Sequence, residues 1–244
     1  MLTLRLPFSF THVLIPPTCA GCDMLTAEAQ ALCPACWRML HFISRPFCEK
    51  YAVPFSYDKA ADALSPEAYR FPPPWAKARA VALFKDLAPD LVHGLKYKDR
   101  HDFAPLMGRL MSRAGGDVIE SADVIAPVPL HWSRFLKRRY NQAALLAKAV
   151  AKENGKAYNP RLLRRKKPTP TQVGLNRGAR ERNLQGAFLI PAKNRPYIKD
   201  RTVLLVDDVM TSGATLAAAT RALLKGGAKE VNVLVFARVT EVLD

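Results

Sequence analysis

Two adjacent carboxylates, Asp207 and Asp208, come directly after an apolar run, residues 203–206, and shortly before a group of small and hydroxyl-bearing residues. A buried strand followed by a helix would place both carboxylates near the strand's end. There they could accept hydrogen bonds from ribose hydroxyls or hold a hydrated Mg²⁺. The free N–H groups and the dipole of the helix N-terminus suit a phosphate. The phosphate-binding candidates are Thr211, Ser212, Gly213, Ala214 and Thr215.

The alternative role for the two acids is to cap the helix. A helix cap uses a single side chain, however. A second carboxylate directly beside the first at a strand end is costly unless it has a partner. The adjacent acids therefore favour a ligand site.

Four of the five cysteines form two CxxC pairs, which is a pattern typical of a zinc site. Each tight turn lets two thiolates face one ion, and two turns complete a tetrahedral set. Because four thiolates leave no open position for a substrate, this zinc would be structural. A redox pair and free core cysteines are the alternatives. Cys48 stands alone and is predicted to be a small apolar core residue. The predicted zinc ligands are Cys19, Cys22, Cys33 and Cys36.

The basic charge of the chain lies in one central stretch. Lys and Arg outnumber Asp and Glu by 37 to 21, which gives a formal net charge of +16. Residues 134–201 alone carry 19 basic and 3 acidic side chains. Like charges at this density repel one another unless an anion joins them, so we favour an anion-contacting region over a solvated basic face.

The elements that must position these residues alternate between strands and helices from about residue 76 onward, which predicts a parallel α/β sheet with ligands at the carboxyl ends of its strands. The predicted strands are residues 76–84, 124–129, 162–163, 187–190, 202–206 and 231–239. The predicted helices are residues 87–97, 103–114, 141–154 and 215–225. Residues 164–183 show no apolar period and are predicted to be a long basic loop.

Composition divides the chain into two parts. The stretch 48–75 is rich in proline and aromatic residues and has no steady period, which is typical of a domain boundary. We therefore predict a zinc-binding module with a proline-rich linker over residues 1–75 and an α/β domain over residues 76–244. No apolar run is long enough to span a bilayer, and residues 1–17 lack a cleavage site of the signal-peptide type. These features predict a cytoplasmic protein without membrane insertion.

Residues 203–215 resemble the signature by which type I phosphoribosyltransferases hold phosphoribosyl pyrophosphate (PRPP). The rest of the chain resembles the ComF family of competence-associated proteins. The matching pieces are the CxxC pairs, His93-Gly94-Leu95-Lys96-Tyr97, Pro127-Val128-Pro129-Leu130, Arg138-Arg139-Tyr140-Asn141-Gln142, Gln172-Val173-Gly174-Leu175, Arg177, Arg182, Asn183, Gly186, Ala187 and Phe188.

This resemblance implies roles for the candidate residues. Residues 211–215 would hold the 5′-phosphate of PRPP, while Asp207 and Asp208 would contact the ribose hydroxyls as the catalytic acids, with Mg²⁺ bound alongside PRPP. A turn would face the pyrophosphate, and the long basic segment would close over the site as a hood. The turn consists of Val128, Pro129 and Leu130. The residues of the basic hood and its adjoining turn are Arg138, Asn141, Gln142, Gln172, Arg177, Arg182 and Asn183.

Two positions depart from the family pattern. A second set of zinc ligands is reduced to Cys48, which puts a second metal in doubt, and Arg139 stands where members often have glycine.

The family resemblance implies a phosphoribosyltransferase, a glycosyltransferase-class enzyme, linked to DNA uptake in natural competence. Its acceptor is not readable from the sequence, and neither are its protein partners. The alternative is a non-catalytic protein that holds single-stranded DNA in the same basic pocket during DNA uptake or repair.

Overall fold

The computed structural model describes residues 16–56, 63–97, 99–130, 140–166, 184 and 186–240. Four strands form a sheet in the order β1-β6-β5-β2, and each neighbouring pair is parallel. The strands are β1 (Ala78–Leu83), β2 (Val124–Pro127), β5 (Thr202–Met210) and β6 (Glu230–Arg238). A separate antiparallel ladder joins β3 (Arg164–Arg165) to β4 (Phe188–Leu189).

Helices and short helical turns connect and cover these strands. In chain order they are α1 (Pro34–Arg38), α2 (Pro66–Arg70), α3 (Leu87–Tyr97), α4 (Phe103–Ala114), α5 (Gly116–Glu120), α6 (Gln142–Glu153), a 3₁₀ turn (Ala192–Asn194), α7 (Arg195–Ile198) and α8 (Ala214–Lys225). The α/β fold predicted from the sequence is confirmed, and α3 and α4 have the predicted bounds.

The sheet is buried on both faces because alternate residues of its central strands point to opposite sides. Leu204 and Val206 of β5 join an apolar cluster with α3, α4 and α6. Val203 and Leu205 join the opposite cluster with α8. The strands therefore read as continuous apolar runs, and the polar residues of β5 stand out at its carboxyl end.

Residues 43–55 and 64–75 pack on the α8 face of the sheet. Phe47, Tyr51 and Trp75 are buried in the same apolar cluster as β5 and α8. The composition of residues 48–75 led us to predict a linker, and the division of the chain at residue 75 stays a prediction. Among the described residues, no helix is long and apolar enough to cross a membrane.

Two details of the predicted strands were wrong. The strand expected at Leu162 and Leu163 instead begins at Arg164, and it pairs antiparallel with residues 188–189 outside the main sheet. Both leucines are buried core residues, and the amide of Asn194 holds the Leu162 carbonyl. Moreover, β5 continues to Met210, because Val209 and Met210 still pair with β6. The two carboxylates therefore lie within the strand.

Candidate functional site

The predicted phosphate site forms a sharp turn between β5 and α8. We call residues 211–215 the turn segment. Gly213 has φ +74°, a left-handed conformation that favours glycine. A Cβ atom at this position would lie 2.8 Å from the ring of Trp75. The turn therefore needs glycine both for its backbone conformation and for its close approach to an aromatic ring. A pocket at this end of the sheet is lined by the whole turn segment and by Asp207.

The backbone of the turn segment presents hydrogen-bond donors. Within the described part of the chain, the N–H groups of Thr211, Ser212 and Gly213 have no hydrogen-bond acceptor. The turn leads into α8, a helix of 12 residues, whose N-terminus adds its positive dipole end. Unpaired donors at a helix N-terminus form a binding site for an anion such as phosphate.

The two carboxylates of β5 differ in their surroundings. Asp208 is buried, and its carboxylate forms an ion pair of 2.8 Å with Nζ of Lys96, in the last turn of α3. Asp207 keeps part of its surface exposed at the pocket, and one of its oxygens accepts the N–H of Asp208 at 2.9 Å. One acid is thus neutralised by a lysine, while the other faces the pocket.

The carboxyl group of Asp207 resists ionisation. Burial, and after it the neighbouring carboxylate of Asp208, raises the pKa of Asp207 to about 7, although the nearby charge of Lys96 acts in the opposite direction. A ligand that donates hydrogen bonds or brings positive charge would favour the ionised form. The pocket therefore stores unfavourable electrostatic energy that a suitable ligand can relieve.

We expect this raised pKa to make the stability of the protein depend on pH. The stabilising contribution of protonated Asp207 is fully present below the unfolded-state pKa of about 4 and is lost as the pH rises through about 7. Asp207→Asn cannot ionise, so its stability gain over the wild type should grow by about 2–3 kcal/mol between pH 5 and pH 8. Urea unfolding at both pH values measures this gain. The same experiment on Asp90→Asn, which changes an exposed acid, should show no such growth.

The turn expected to face the pyrophosphate lies beside the carboxylates. Pro127 pairs with Val206 in the sheet, and the N–H of Val128 donates to the Val206 carbonyl at 2.9 Å. Asn141 donates its amide to the carbonyl of Val128 at 3.0 Å. The structure thus brings this turn, including Pro129 and Leu130, to the same end of the sheet as the carboxylates.

The remaining hood residues are only partly placed. Asn141 precedes α6, and Gln142 is its buried first residue. Tyr140 donates its hydroxyl to the Leu95 carbonyl at 2.8 Å, which ties this region to α3. The predicted positions that lie outside the described residues are Arg138, Gln172, Arg177, Arg182 and Asn183, and the variant position Arg139 lies outside them as well.

The four predicted zinc ligands meet in space. Their sulfur atoms all lie within 4.8 Å of one another, and Sγ of Cys22 lies 3.7 Å from Sγ of Cys33. Tetrahedral zinc with Zn–S bonds of about 2.3 Å holds its sulfurs about 3.8 Å apart, so the cluster fits this ion.

Burial raises the pKa of the Cys19 thiol, but hydrogen bonds from the N–H groups of Cys33 and Gly21 outweigh it and lower the pKa to about 6. Thiolate formation at Cys19 suits a metal ligand.

We expect the purified protein to carry about one zinc per chain, bound by these four thiolates. Cys33→Ser should lose the zinc and should unfold at a lower urea concentration, because metal binding contributes to folding. Elemental analysis beside urea unfolding measures both effects. Cys48→Ser is the matched control, since Cys48 is also buried but lies outside the cluster, and it should keep its zinc. Metal-free wild-type protein prepared without chelators would contradict the assignment.

Sequence reasoning missed three residues that shape the pocket. Lys96 belongs to the motif His93–Tyr97, but nothing in that motif shows that α3 ends beside Asp208. Trp75 was part of the predicted linker, and it packs behind Gly213. Arg238 is a buried charge inside an apolar strand, which was the one visible signal that it has partners.

Comparisons with known proteins match two family models to different parts of the chain. Residues 10–65 match the family described as Double zinc ribbon domain, and residues 143–241 match the family described as Phosphoribosyl transferase domain. The DNA utilization protein YhgH of Salmonella typhimurium is 29% identical over 236 residues, which cover 94% of this chain and 92% of that protein. Competence protein F of Haemophilus influenzae is 31% identical over 216 residues, covering 85% and 90% of the two chains.

Among solved structures, the fold matches glutamine phosphoribosylpyrophosphate amidotransferase from B. subtilis. The TM-score is 0.40 at 19% sequence identity, and the match covers 58% of this chain and 30% of that one.

Proposed function

This chain belongs to the competence protein F family, and from that premise we propose that it binds PRPP with Mg²⁺ and acts as a phosphoribosyltransferase in DNA utilization. The observation that carries the proposal is the joint position of the turn segment and the two acids. Unpaired N–H donors at the start of α8 suit the 5′-phosphate, and Asp207 with Asp208 suits the ribose hydroxyls. We also propose that the protein works in the cytoplasm, where its four clustered thiols would stay reduced.

The proposed reaction replaces pyrophosphate at the anomeric carbon of PRPP. The bond from that carbon to the pyrophosphate oxygen breaks, a bond to a nucleophilic acceptor atom forms, and the acceptor releases a proton. Positive charge develops on the ribose ring during this exchange, and the carboxylates of Asp207 and Asp208 would stabilise it. Bound Mg²⁺ would supply charge neutralisation to the leaving pyrophosphate, and the oxygen-rich donors of the pocket suit this ion.

The turn segment and the turn at residues 128–130 would hold opposite ends of PRPP. The first carries donors for the 5′-phosphate, and the second begins beside the carboxylates, where it would face a pyrophosphate bound with Mg²⁺. The ion pair between Lys96 and Asp208 would hold the Asp208 carboxylate in place before the ligand arrives. The chain's own residues would therefore orient the reacting carbon between two fixed anion sites.

A single-stranded nucleic acid remains the second candidate ligand, favoured by the 19 basic side chains of residues 134–201. Calorimetric titration separates the two candidates when PRPP with Mg²⁺ and a short single-stranded oligonucleotide are each tested at two salt concentrations. The proposal predicts saturable PRPP binding. Oligonucleotide binding with a steep salt dependence, without PRPP binding, would support the second candidate and overturn the first.

A further inference from the structure

Residues 48–56 and 63–68 repeat the local arrangement of the four-cysteine site without its full set of ligands. The N–H of Cys33 donates to Sγ of Cys19 at 3.2 Å, and the N–H of Ser65 donates to Sγ of Cys48 at 3.2 Å. Each donating residue, Cys33 or Ser65, is followed directly by a proline that begins a short helix, α1 or α2 respectively. We call residues 48–56 and 63–68 the second ribbon. Its positions equivalent to the four zinc ligands are Cys48, Tyr51, Ser65 and Ala68.

Contacts with neighbouring residues take the place of the missing ligands. The ring of Tyr51 packs edge-on against Trp75 at 5.7 Å, and its hydroxyl donates to the Phe71 carbonyl at 2.9 Å. The backbone carbonyl of Tyr51 accepts a hydrogen bond of 3.1 Å from Nε of Arg238. Glu67, in α2, accepts another of 2.9 Å from the same guanidinium. The second ribbon is therefore fastened to the end of β6.

The same guanidinium holds the start of the turn segment. Arg238 is 3% exposed and donates to the carbonyl oxygens of Met210, at 3.2 Å, and of Thr211. One planar side chain thus joins the second ribbon on one side and the last residues before the phosphate site on the other. Lysine could not make these contacts, because an ammonium group lacks the fixed fork of donors that the guanidinium provides.

These contacts fix the direction of the backbone donors. In a trans peptide unit the C=O and N–H groups point in opposite directions. With the Met210 and Thr211 carbonyls turned toward Arg238, the N–H groups of Thr211 and Ser212 point away from it. These are two of the N–H groups that have no acceptor in the described part of the chain.

We propose that Arg238, held by Glu67 of the second ribbon, is a positioning residue that aims the N–H groups of the turn segment at the phosphate of the ligand. The inference rests on the proposed function, because it assigns the supporting structure of that same site. It gives the second ribbon a role that needs no metal. The predicted ligand for this part of the pocket is a phosphate monoester on a sugar, such as the 5′-phosphate end of PRPP.

A matched residue separates positioning from ordinary structural support. Arg79 in β1 is 2% exposed and donates to Glu49 at 2.6 Å and to Asp117 at 2.6 Å. It is a buried arginine bonded to an acid of the second ribbon, as Arg238 is. Its acceptors are Glu49, Asp117 and the carbonyl of Ala78, and none of them belongs to the turn segment. Replacing either arginine by lysine keeps the charge and removes the fork of donors.

The test is calorimetric titration of the full chain with ribose 5-phosphate, beside urea unfolding of each variant. Arg238→Lys should weaken ribose 5-phosphate binding about tenfold, because displaced donors lose their hydrogen-bond geometry. Both variants should lower the free energy of unfolding by a similar amount. Arg79→Lys should nevertheless leave the affinity for ribose 5-phosphate unchanged. Equal affinities of the wild type and Arg238→Lys would overturn the positioning role. Failure of the wild type to bind ribose 5-phosphate would instead overturn the proposed function.

Variants of Glu67 decide the question if Arg238→Lys does not fold. Glu67 is partly exposed, and both Glu67→Gln and Glu67→Ala remove its charge. Only glutamine keeps an oxygen that can accept from Arg238. Glu67→Gln should therefore bind ribose 5-phosphate more tightly than Glu67→Ala by about fivefold. Equal affinities of these two variants would contradict the inference.

Discussion

Replacing both carboxylates of the pocket, in Asp207→Asn with Asp208→Asn, should abolish saturable binding of PRPP in the presence of Mg²⁺. Each ionised carboxylate contributes charge-assisted hydrogen bonds of about 1.5–3 kcal/mol, so the loss of both lowers the affinity by at least about 100-fold. Asparagine keeps nearly the same shape, and the uncharged pair removes the burial cost and the repulsion that together raise the pKa of Asp207. The variant should therefore stay folded, and calorimetric titration measures the loss.

A charge-matched variant serves as the control for this prediction. Asp90→Asn with Asp200→Asn removes two exposed acids and changes the net charge by the same amount. It should bind PRPP as the wild type does. If both double variants kept wild-type affinity, the carboxylates of β5 would have no part in ligand binding, and the reaction assigned to them would be wrong.

The second large effect is expected at Gly213. Gly213→Ala puts alanine in a left-handed backbone conformation, which costs about 1 kcal/mol. It also places the new methyl group 2.8 Å from the ring of Trp75. That ring is 1% exposed, and its Nε1 donates to the Lys50 carbonyl at 2.6 Å, so it cannot swing away. We expect a loss of about 2–4 kcal/mol in the free energy of unfolding. The displaced turn should also lose measurable binding of ribose 5-phosphate.

Gly155 offers the matched control for the backbone contribution. Its φ is +63°, and a Cβ atom there would meet nothing within 4 Å. Gly155→Ala should therefore lower the free energy of unfolding only by the cost of the backbone conformation, about 1 kcal/mol, and leave ligand binding intact. Urea unfolding and titration of both alanine variants measure the comparison. Equal losses of stability would mean that the contact with Trp75 does not constrain the turn.

Local patterns carried most of what the sequence could predict. The apolar run of β5 and the small residues that follow it interact within a few positions, so strand, turn and helix were all predictable there. The CxxC pairs were equally local, because each tight turn brings its own two thiols together. The limits of β5 were predicted less well, since pairing with β6 extends the strand past the polar pair Asp207-Asp208.

Tertiary contacts explain what the sequence could not predict. The ion pair of Lys96 with Asp208 joins α3 to β5. The apolar pattern of neither segment predicts this contact. Trp75 stood in a proline-rich stretch with the composition of a linker, yet it packs against Gly213. The buried guanidinium of Arg238 donates to backbone carbonyl groups. Because every residue has such a carbonyl, the sequence does not show which ones accept these hydrogen bonds.

A crystal structure of the protein with PRPP and Mg²⁺ tests the central claim most directly. The account predicts the 5′-phosphate within hydrogen-bond distance, about 3 Å, of the N–H groups of Thr211, Ser212 and Gly213, with the ribose hydroxyls on Asp207 and Asp208. A ligand bound away from the turn segment, with both carboxylates still free of contacts to the ribose, would contradict it.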